Sequence, residues 1–443
     1  MSSPGARIGI RRECKNEWER RAPLTPDHVA ELVENHGLEI AVQPSIHRAF
    51  PDKDYRLAGA SIDDRLSDCR VIFGVKEIPA EEIEPGKTYL FFSHTAKGQL
   101  YNMPMLRRFL ETGATLIDYE HVFDERGRRL IFFGRYAGYA GMIDALWALG
   151  RRLAAEGYRN LFERMRLAHD YSNLDEATHH VSRIGEAIRH TGIAKELSPV
   201  IFGFTGSGNV SRGAQEIFDR LPYLELDPDG LDEIRLDERR PRNLLYKVVF
   251  RREHRFRRIA GGPVDLQELE RHPDRYGNGL SRWLRHLTVL IHGAFWRPPQ
   301  PRLVSKRELE ELWRGDARPR LRLIADISCD IGGGIEATLK ATTPGNPVFV
   351  YDVERGEPVD GVHGDGPVVL AVDNLPCQLA VESSGHFGDT LIRVVPTLSR
   401  CAWDRPLDEL ALPPEIRNAI IAHGGKLTPR FARLERHLEE ARS

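Results

Sequence analysis

Short apolar runs alternate with amphipathic stretches in the N-terminal part of the chain. Strands are predicted by such runs at Ile8–Ile10, Leu38–Val42, Val71–Val75, Tyr89–Phe92 and Thr115–Ile117. Between the first two, Thr25 and Pro26 suit the N-cap and first position of a helix, and a second helix is predicted over Met103–Glu111. Strands that alternate with helices are typical of a mainly parallel sheet covered by helices on both faces.

The same alternation returns further along the chain. Apolar residues at helical spacing predict helices over Gly141–Glu156 and Asp175–His190. Strands are predicted at Val200–Thr205 and Leu321–Ala325, and Pro376–Ser443 is expected to be mostly helical. The whole pattern therefore predicts an α/β protein.

One segment, Asp227–Arg258, is charge-dense and predicts irregular structure. It contains a basic cluster made of Arg251, Arg252, His254, Arg255, Arg257 and Arg258. Clusters of this kind usually form a solvated face, and we interpret this one in that way.

Composition narrows the class of protein. The 443 residues include 63 Lys and Arg against 65 Asp and Glu, so a net charge of −2 gives no reason to expect a nucleic acid or a membrane as partner. No apolar run in the sequence is long enough to span a bilayer. The apolar run within Met1–Ile10 is also too short for a secretory signal. Five cysteines without a CxxC pair favour reduced thiols, and adjacent His179 and His180 do not predict a metal site. We expect a cytoplasmic enzyme.

The sharpest local pattern is a glycine-rich turn between a strand and a helix. The residues that the pattern assigns to a cofactor are Gly206, Ser207, Gly208, Asn209, Val210, Ser211 and Arg212. Such glycines permit a tight turn and close approach of the backbone to a pyrophosphate, although Ser211 stands where the fingerprint has its third glycine. A purely structural turn is the alternative.

Acidic residues add to this candidate nucleotide site. Glu225 and Asp227 lie about 20 residues after the turn, where a ribose ligand is expected. Asp326 follows the strand Leu321–Ala325 and is a further cofactor-binding candidate.

A lysine and a histidine follow two strands of the N-terminal sheet. Lys76 comes after Val71–Val75, and His94 comes after the next strand. Ligands of open parallel sheets bind beyond the carboxyl ends of the strands, so the two side chains can meet as an acid–base pair. A cation such as Arg21 beside the lysine would lower its pKa. Exposed side chains without a chemical role are the alternative.

Ordered motifs carry a resemblance to a known family. Five motifs resemble the alanine dehydrogenase and saccharopine dehydrogenase superfamily. They are Arg12–Lys15, Trp18–Pro26, Gly74–Lys76, Phe91–Thr95 and Asp118–Glu120. Further motifs are similar to the lysine–2-oxoglutarate reductase half of bifunctional aminoadipic semialdehyde synthases, namely Phe133–Ile143, Phe204–Ala214, Cys329–Gly333 and Asp373–Pro376. The resemblance runs nearly from end to end.

The resemblance implies a two-lobed α/β enzyme. Each Rossmann-like lobe would be a mainly parallel sheet flanked by helices, with a cleft between the lobes. Residues 1–135 and 376–443 would form the catalytic lobe, and 136–375 the dinucleotide lobe. The family's saccharopine-splitting half is not found in the chain, which implies a stand-alone reductase beside a separate saccharopine-cleaving dehydrogenase.

The resemblance also implies the roles of the site residues. Lys76 and His94 match the family's catalytic pair, and the substrate-binding residues would be Arg21, Lys97, Glu120 and Arg129. The implied reaction condenses L-lysine with 2-oxoglutarate and reduces the imine to saccharopine. Which member of the catalytic pair is the acid and which is the base stays open.

The family's reductase half implies NADP as the cofactor, with NAD as the alternative. Arg212 could hold a 2′-phosphate, whereas Glu225 and Asp227 would repel it. Two rival functions stay open, a related saccharopine or amino-acid dehydrogenase that uses NAD, and a catalytically silent regulatory or scaffold homologue. The expected partners are small-molecule substrates, and a homo-oligomer is compatible with the resemblance.

Overall fold

The structure, a computed structural model, describes residues 7–315 and 319–441, which form two compact units. One unit contains the described part of Met1–Phe133 and Ala380–Ser443, and the other that of Gly134–Leu379. The lobes predicted from the sequence comprise residues 1–135 with 376–443, and residues 136–375. Residues 1–6, 316–318, 442 and 443 of these lobes lie outside the described residues.

The described residues contain strands of two to six residues. In chain order they are β1 (Ile8–Ile10), β2 (Ile40–Val42), β3 (Ser61–Ile62), β4 (Val71–Phe73), β5 (Thr88–Phe91), β6 (Thr115–Asp118), β7 (Ile201–Thr205), β8 (Tyr223–Leu226), β9 (Leu245–Phe250), β10 (Phe256–Arg258), β11 (Tyr276–Asn278), β12 (Val289–His292), β13 (Leu323–Asp326), β14 (Val348–Asp352), β15 (Glu357–Asp360), β16 (Val368–Leu370), β17 (Ile420–His423) and β18 (Lys426–Leu427).

Helices alternate with most of these strands. In chain order they are α1 (Pro26–His36), α2 (Asp52–Leu57), α3 (Met103–Thr112), α4 (Gly134–Ala155), α5 (Leu174–Thr191), α6 (Asn209–Phe218), α7 (Leu231–Leu236), α8 (Arg252–Arg255), α9 (Leu266–Arg271), α10 (Ser281–Leu284), α11 (Lys306–Gly315), α12 (Ala380–Leu391), α13 (Val395–Arg400), α14 (Pro414–Arg417) and α15 (Leu434–Glu440). In that described part of the chain, no helix is long and apolar enough to cross a bilayer.

The first unit is built on a sheet in the order β18-β17-β6-β5-β4-β1-β2-β3. Its strands β1 to β6 are parallel, whereas β17 and β18 are antiparallel additions. The expectation of mostly helix over Pro376–Ser443 misses these two strands. Ile420–Ala422 is fully buried and gains its strand partner from β6, far away in the sequence, so local spacing could not reveal it.

The second unit is built on a sheet in the order β15-β14-β16-β13-β12-β7-β9-β8. Six neighbouring strands of this sheet are parallel to one another, namely β16, β13, β12, β7, β9 and β8. The other two, β14 and β15, pair in antiparallel fashion with their neighbours. The predicted irregular structure of Asp227–Arg258 is wrong, because that segment contains β9, which is inserted between β7 and β8. The predicted α/β class, with mainly parallel sheets flanked by helices, is confirmed.

Close helix packing fixes where the second unit begins. A Cβ on Gly138 of α4 would lie 2.1 Å from the carbonyl oxygen of Val210, and one on Gly213 of α6 would lie 2.2 Å from that of Arg135. Glycines therefore let α4 and α6 touch along their backbones. At the other end, Leu375 and Leu379 belong to the core of this unit. The unit thus runs over 134–379, where the lobe prediction has 136–375.

Candidate functional site

Polar side chains collect where four neighbouring strands of the first unit end. Strands β1, β4, β5 and β6 are adjacent and parallel, so their carboxyl ends meet at one edge of the sheet. Lys76 follows β4 and His94 follows β5. Ligand sites in open parallel sheets lie at this edge.

Lys76 is held by a carboxylate and surrounded by cations. The two carboxylate oxygens of Glu13 accept the backbone N–H groups of Val75 and Lys76, at 2.7 and 2.9 Å. Burial lowers the pKa of Lys76, and the charges of Arg21 and Lys15 lower it further. The ammonium group of Lys76 therefore gives up its proton more readily than that of an exposed lysine.

Arg21 forms a buried ion pair beside this lysine. Its Nε and Nη2 donate to the two carboxylate oxygens of Glu19, at 2.8 and 2.6 Å, and both side chains are at most 2% exposed. The guanidinium carbon also lies 4.4 Å from the ring centroid of Phe133. This bidentate pairing fixes the position of the positive charge that acts on Lys76.

His94 is oriented by the residue that follows Lys76. Nδ1 of His94 lies 2.5 Å from Oε1 of Glu77, and His94 itself has a left-handed backbone with φ 52°. Burial opposes the charge of Glu77, but the hydrogen bond and charge of His94, with Lys15, more than offset it and lower the pKa of Glu77 to about 2. An ionised carboxylate only accepts, so Nδ1 of His94 carries the hydrogen, and in the neutral imidazole Nε2 is then the acceptor.

Asp118 at the end of β6 holds the turn that carries His94. Its carboxylate accepts the backbone N–H of Ser93 at 3.2 Å, the hydroxyl of Ser93, and the backbone N–H of Glu120 at 2.8 Å. Burial raises the pKa of Asp118 to about 6, although these hydrogen bonds act in the opposite direction. Asp118 thus links the ends of β5 and β6.

The predicted substrate-binding residues divide into two groups. Nη1 of Arg129 lies 3.5 Å from Oε1 of Glu120, and its guanidinium carbon lies 5.4 Å from the ring centroid of Phe92. Lys97 is exposed on the short turn after His94. The structure therefore pairs Glu120 with Arg129, whereas Arg21 lies with Lys76.

Four carboxylates at this edge were not selected from the sequence as site residues. Glu13 and Glu19 lie in the motifs that carried the family resemblance, Glu77 directly follows Lys76, and Asp118 directly follows a predicted strand. Their positions were visible, but their partners are Lys76, Arg21, His94 and Ser93. The pairing of Asp118 with Ser93 in particular depends on which strands are neighbours.

The glycine-rich turn in the second unit has an open backbone. Gly206 has φ +95°, and a Cβ there would lie 2.7 Å from the carbonyl oxygen of Gly293. Gly208 has an ordinary φ of −81°, and within the described residues no atom beyond Gly208 and its two chain neighbours lies within 4 Å of the position of its missing Cβ. Helix α6 begins at Asn209. The turn therefore leaves the space at Gly208 that a dinucleotide pyrophosphate requires.

The other predicted cofactor residues lie at different depths around this turn. Ser207, Asn209 and Arg212 are exposed, Val210 is partly buried and Ser211 is buried. The hydroxyl of Ser211 accepts from the side-chain amide of Gln215 at 3.1 Å.

Acidic candidates are further from the turn than the sequence spacing suggests. Glu225 and Asp227 are exposed at the end of β8, and β9 separates β8 from β7. The buried carboxylate of Asp326 accepts the hydroxyls of Ser328 and Thr338, at 2.5 and 2.6 Å, and so is already engaged by its own unit.

Comparison with known proteins identifies the relatives of the chain. Residues 9–140 match the family model of the alanine dehydrogenase/PNT N-terminal domain. The predicted family resemblance is confirmed. The mitochondrial alpha-aminoadipic semialdehyde synthase of Bos taurus is 37% identical over 442 residues, which cover 97% of this chain and 47% of that protein. The chain therefore spans about half the length of this relative.

A second curated relative matches over most of its own length. The saccharopine dehydrogenase [NAD(+), L-lysine-forming] of Neurospora crassa is 25% identical over 407 residues, which cover 88% of this chain and 91% of that protein. A solved L-alanine dehydrogenase superposes with a TM-score of 0.62 at 17% identity, covering 98% of this chain and 99% of that one. This last match shows the fold.

The names of these relatives support the coarser part of the functional prediction. The names of the two curated relatives support an amino-acid dehydrogenase, an oxidoreductase that takes a nicotinamide cofactor and small-molecule substrates. The bovine relative is named as mitochondrial, so the cytoplasmic location of this chain stays a prediction.

Proposed function

We propose that this chain is a lysine–2-oxoglutarate reductase. The ε-amine of L-lysine forms a bond to the keto carbon of 2-oxoglutarate, one water is lost, and the imine is reduced to saccharopine. A nicotinamide nucleotide, when bound, supplies the hydride for this reduction. One proton is consumed with the hydride, so the products are saccharopine, water and the oxidised nucleotide.

One observation carries this proposal, the paired environment of Lys76 and His94. Lys76 has a lowered pKa, and His94 is hydrogen-bonded through Nδ1 to an ionised carboxylate. Glu77 interacts with both, through a hydrogen bond to His94 and through its charge to Lys76. This shared partner supports our assignment of both residues as proton-transfer groups at the edge of the sheet where ligands bind.

The surroundings of the two groups support a division of roles. We assign His94 as the base, because Nε2 can accept the proton that the substrate ammonium must lose before it attacks. We assign Lys76 as the acid, because burial and Arg21 make its ammonium a better proton donor to the departing oxygen. Glu77 then stabilises the protonated imidazole, as a carboxylate does behind a catalytic histidine.

The carboxylates of 2-oxoglutarate need cationic partners. Arg129 is only 34% exposed and can offer its planar guanidinium to one of them. Glu120, 3.5 Å away, would orient Arg129 in the absence of substrate. Arg21 has its fork occupied by Glu19, so we assign to it the tuning of Lys76 rather than a bidentate grip on substrate.

Residues of the glycine-rich turn would hold the nucleotide. The exposed backbone from Ser207 to Asn209 leads directly into α6, whose first N–H groups can meet a pyrophosphate. We propose NADP(H) as the preferred nucleotide.

A spectrophotometric assay tests the proposed reaction. The purified chain should oxidise NADPH only when lysine and 2-oxoglutarate are both present, and saccharopine should accumulate in equal amount. Other amino acids and keto acids, and NADH in place of NADPH, complete the panel. Turnover with a different substrate pair would indicate a related dehydrogenase, and no turnover with any pair would indicate a silent homologue. Either result contradicts the proposal.

A further inference from the structure

The order of strands in the second unit changes which residues lie beside the glycine-rich turn. Thr205, the last residue of β7, pairs with Phe250, the last residue of β9. Gly206 and Arg251 therefore leave the sheet at the same level on adjacent strands, about 4.8 Å apart. Strand β8, with Glu225 and Asp227, lies one strand further out.

Residues after the strand adjacent to the glycine-rich turn meet the adenosine ribose in dinucleotide folds. An acidic side chain there binds the 2′-hydroxyl of NAD, and an arginine accommodates the 2′-phosphate of NADP. In this chain that place belongs to the end of β9, and it is occupied by Arg251, Arg252 and Arg255. The cluster interpreted from the sequence as a solvated face thus begins at a ligand-binding edge.

Arg255 does not have the environment of a solvated arginine. It is only 8% exposed, and its Nε is buried without a hydrogen-bond partner among the residues that the structure describes. No carboxylate in the described residues forms an ion pair with it, and its guanidinium carbon lies 5.8 Å from the ring centroid of Phe256. Burial, with the charge of Arg252, lowers the pKa of Arg255 to about 10, although the charge of Glu253 acts in the opposite direction. A buried cation that forms no ion pair is unfavourable unless an anion joins it.

Electrostatic coupling places Arg255 near the same edge of the sheet. Burial lowers the pKa of His292, Asp326 opposes this, and the charge of Arg255 lowers it further. His292 ends β12, and its Nδ1 lies 2.8 Å from the hydroxyl of Thr205, which immediately precedes Gly206. The unpaired arginine therefore lies within electrostatic range of the residues that lead into the glycine-rich turn.

Most other arginines of the cluster already have partners. Arg252 pairs with Glu270, Arg258 donates to Glu268 at 3.0 Å, and Arg257 donates to the backbone oxygen of Asn278 at 3.2 Å. Arg251, by contrast, is exposed and has no ion pair within the described part of the chain. Two cations directly after β9 are thus available to an anion.

We propose that Arg251 and Arg255 select the nucleotide by binding the phosphate monoester on its adenosine ribose. This inference rests on the proposed function for the presence of a nucleotide, and it goes beyond that function by naming the residues that distinguish NADP(H) from NAD(H). It replaces Arg212, the candidate from the sequence. Arg212 lies on α6 next to the shared pyrophosphate position, so it would act on both nucleotides alike.

Binding titrations of the full chain with four ligands test the proposal. The ligands are NADPH, NADH, 2′,5′-ADP and 5′-ADP, the last two of which need no active catalytic site. In Arg255→Gln and Arg251→Gln we expect affinity for NADPH and 2′,5′-ADP to fall about 10- to 100-fold, the cost of one charge-assisted hydrogen bond. Affinity for NADH and 5′-ADP should stay nearly unchanged.

Matched variants separate this effect from general loss of positive charge. Arg257→Gln removes a charge from the same cluster and should leave all four affinities as in the wild type. Arg212→Gln should weaken NADPH and NADH by similar factors. Arg255→Lys, which keeps the charge without the planar fork, should recover part of the affinity for 2′,5′-ADP. Because Arg251 is exposed, Arg251→Gln keeps the test valid should Arg255→Gln not fold.

The outcomes distinguish this inference from the proposed function. Equal losses for phosphorylated and unphosphorylated ligands, or loss of discrimination in Arg212→Gln alone, would overturn the inference. A wild-type chain that turns over lysine and 2-oxoglutarate without preferring 2′,5′-ADP to 5′-ADP would overturn it while the reaction stands. Discrimination that depends on Arg251 or Arg255, without any turnover, would support the inference and contradict the reaction.

Discussion

Replacement of Asp118 by asparagine tests how the turn that carries His94 is held. The carboxylate of Asp118 is fully buried and accepts from Ser93 and from the backbone of Glu120. Asparagine has the same shape, but it has one acceptor oxygen instead of two and it does not ionise in the relevant pH range. The variant therefore separates the cost of a buried charge from the benefit of its hydrogen bonds.

The magnitude follows from the pKa of Asp118. Folding raises it from 3.8 to about 6. A folded-state pKa above the unfolded one means that stability is greatest below pH 3.8 and is lost as the pH rises through 6. A shift of this size corresponds to a loss of about 3 kcal/mol in the free energy of unfolding, of which about 2 kcal/mol is lost between pH 4 and pH 7. Asparagine does not titrate, so the stability of Asp118→Asn relative to the wild type should rise by about 2 kcal/mol from pH 4 to pH 7.

A second buried aspartate provides the matched control. Asp144 on α4 is equally buried, its pKa is also raised to about 6 by burial, and it accepts from the backbone of Ala168 and the side chain of Gln378. Asp144→Asn should therefore show the same dependence of stability on pH. It lies in the other unit, so it should leave turnover at the wild-type level while the protein is folded.

Two measurements decide the outcome. Hydrogen exchange of peptides from β5 and β6 for Asp118→Asn, and from α4 for Asp144→Asn, reports the free energy of opening in each unit between pH 4 and pH 7. The rate of NADPH oxidation should fall about 10- to 100-fold in Asp118→Asn only, because displacement of His94 by about 1 Å is enough for that. Parallel pH dependences of wild type and Asp118→Asn, or equal turnover, would refute the reasoning.

The remaining predictions concern the glycine-rich turn, the catalytic pair and the substrate arginine. Gly208→Val should retain the wild-type melting temperature but lose NADPH binding in a fluorescence titration, whereas Gly206→Val should melt at lower temperature because its Cβ would lie 2.7 Å from a backbone oxygen. Lys76→Met and His94→Gln should each lower kcat by about 10²- to 10⁴-fold with NADPH affinity intact, and wild-type rates in both would remove them from the chemistry. Arg129→Gln should raise KM for 2-oxoglutarate about tenfold or more without changing KM for NADPH, and an unchanged KM would contradict its role.

Features that depend on local sequence could be predicted. The helix start at Thr25 and Pro26 is confirmed, since the Thr25 hydroxyl accepts the backbone N–H of His28 and α1 begins at Pro26. Strands β1 and β7 lie where apolar runs predicted them. Apolar spacing and capping are properties of neighbouring residues, so a sequence displays them directly.

Features that depend on distant partners could not be predicted. The charges around Arg255 suggest a solvated segment, yet Gly279 donates its backbone N–H to the carbonyl oxygen of Arg255 at 2.9 Å and the side chain is buried. The hydrogen bond between Ser93 and Asp118 likewise exists because β5 and β6 are paired. Sequence reasoning found Lys76 and His94 as strand-end residues, but the hydrogen bonds that hold them, from the backbone of Lys76 to Glu13 and from Ser93 to Asp118, exist only when the sheet is formed.

Strand order explains why the fingerprint and the structure differ on the nucleotide. The fingerprint assigns the ribose ligand to an acidic residue about 20 positions after the glycines, which assumes that the next strand in the chain is also the next strand in the sheet. Here the next strand in the chain is β8, whereas the next strand in the sheet is β9. The spacing therefore selects Glu225 and Asp227 at the outer edge, and the adjacency selects Arg251. A carboxylate favours a hydroxyl and a guanidinium favours a phosphate, so the same glycine-rich turn predicts opposite nucleotide preferences according to which strand lies beside it.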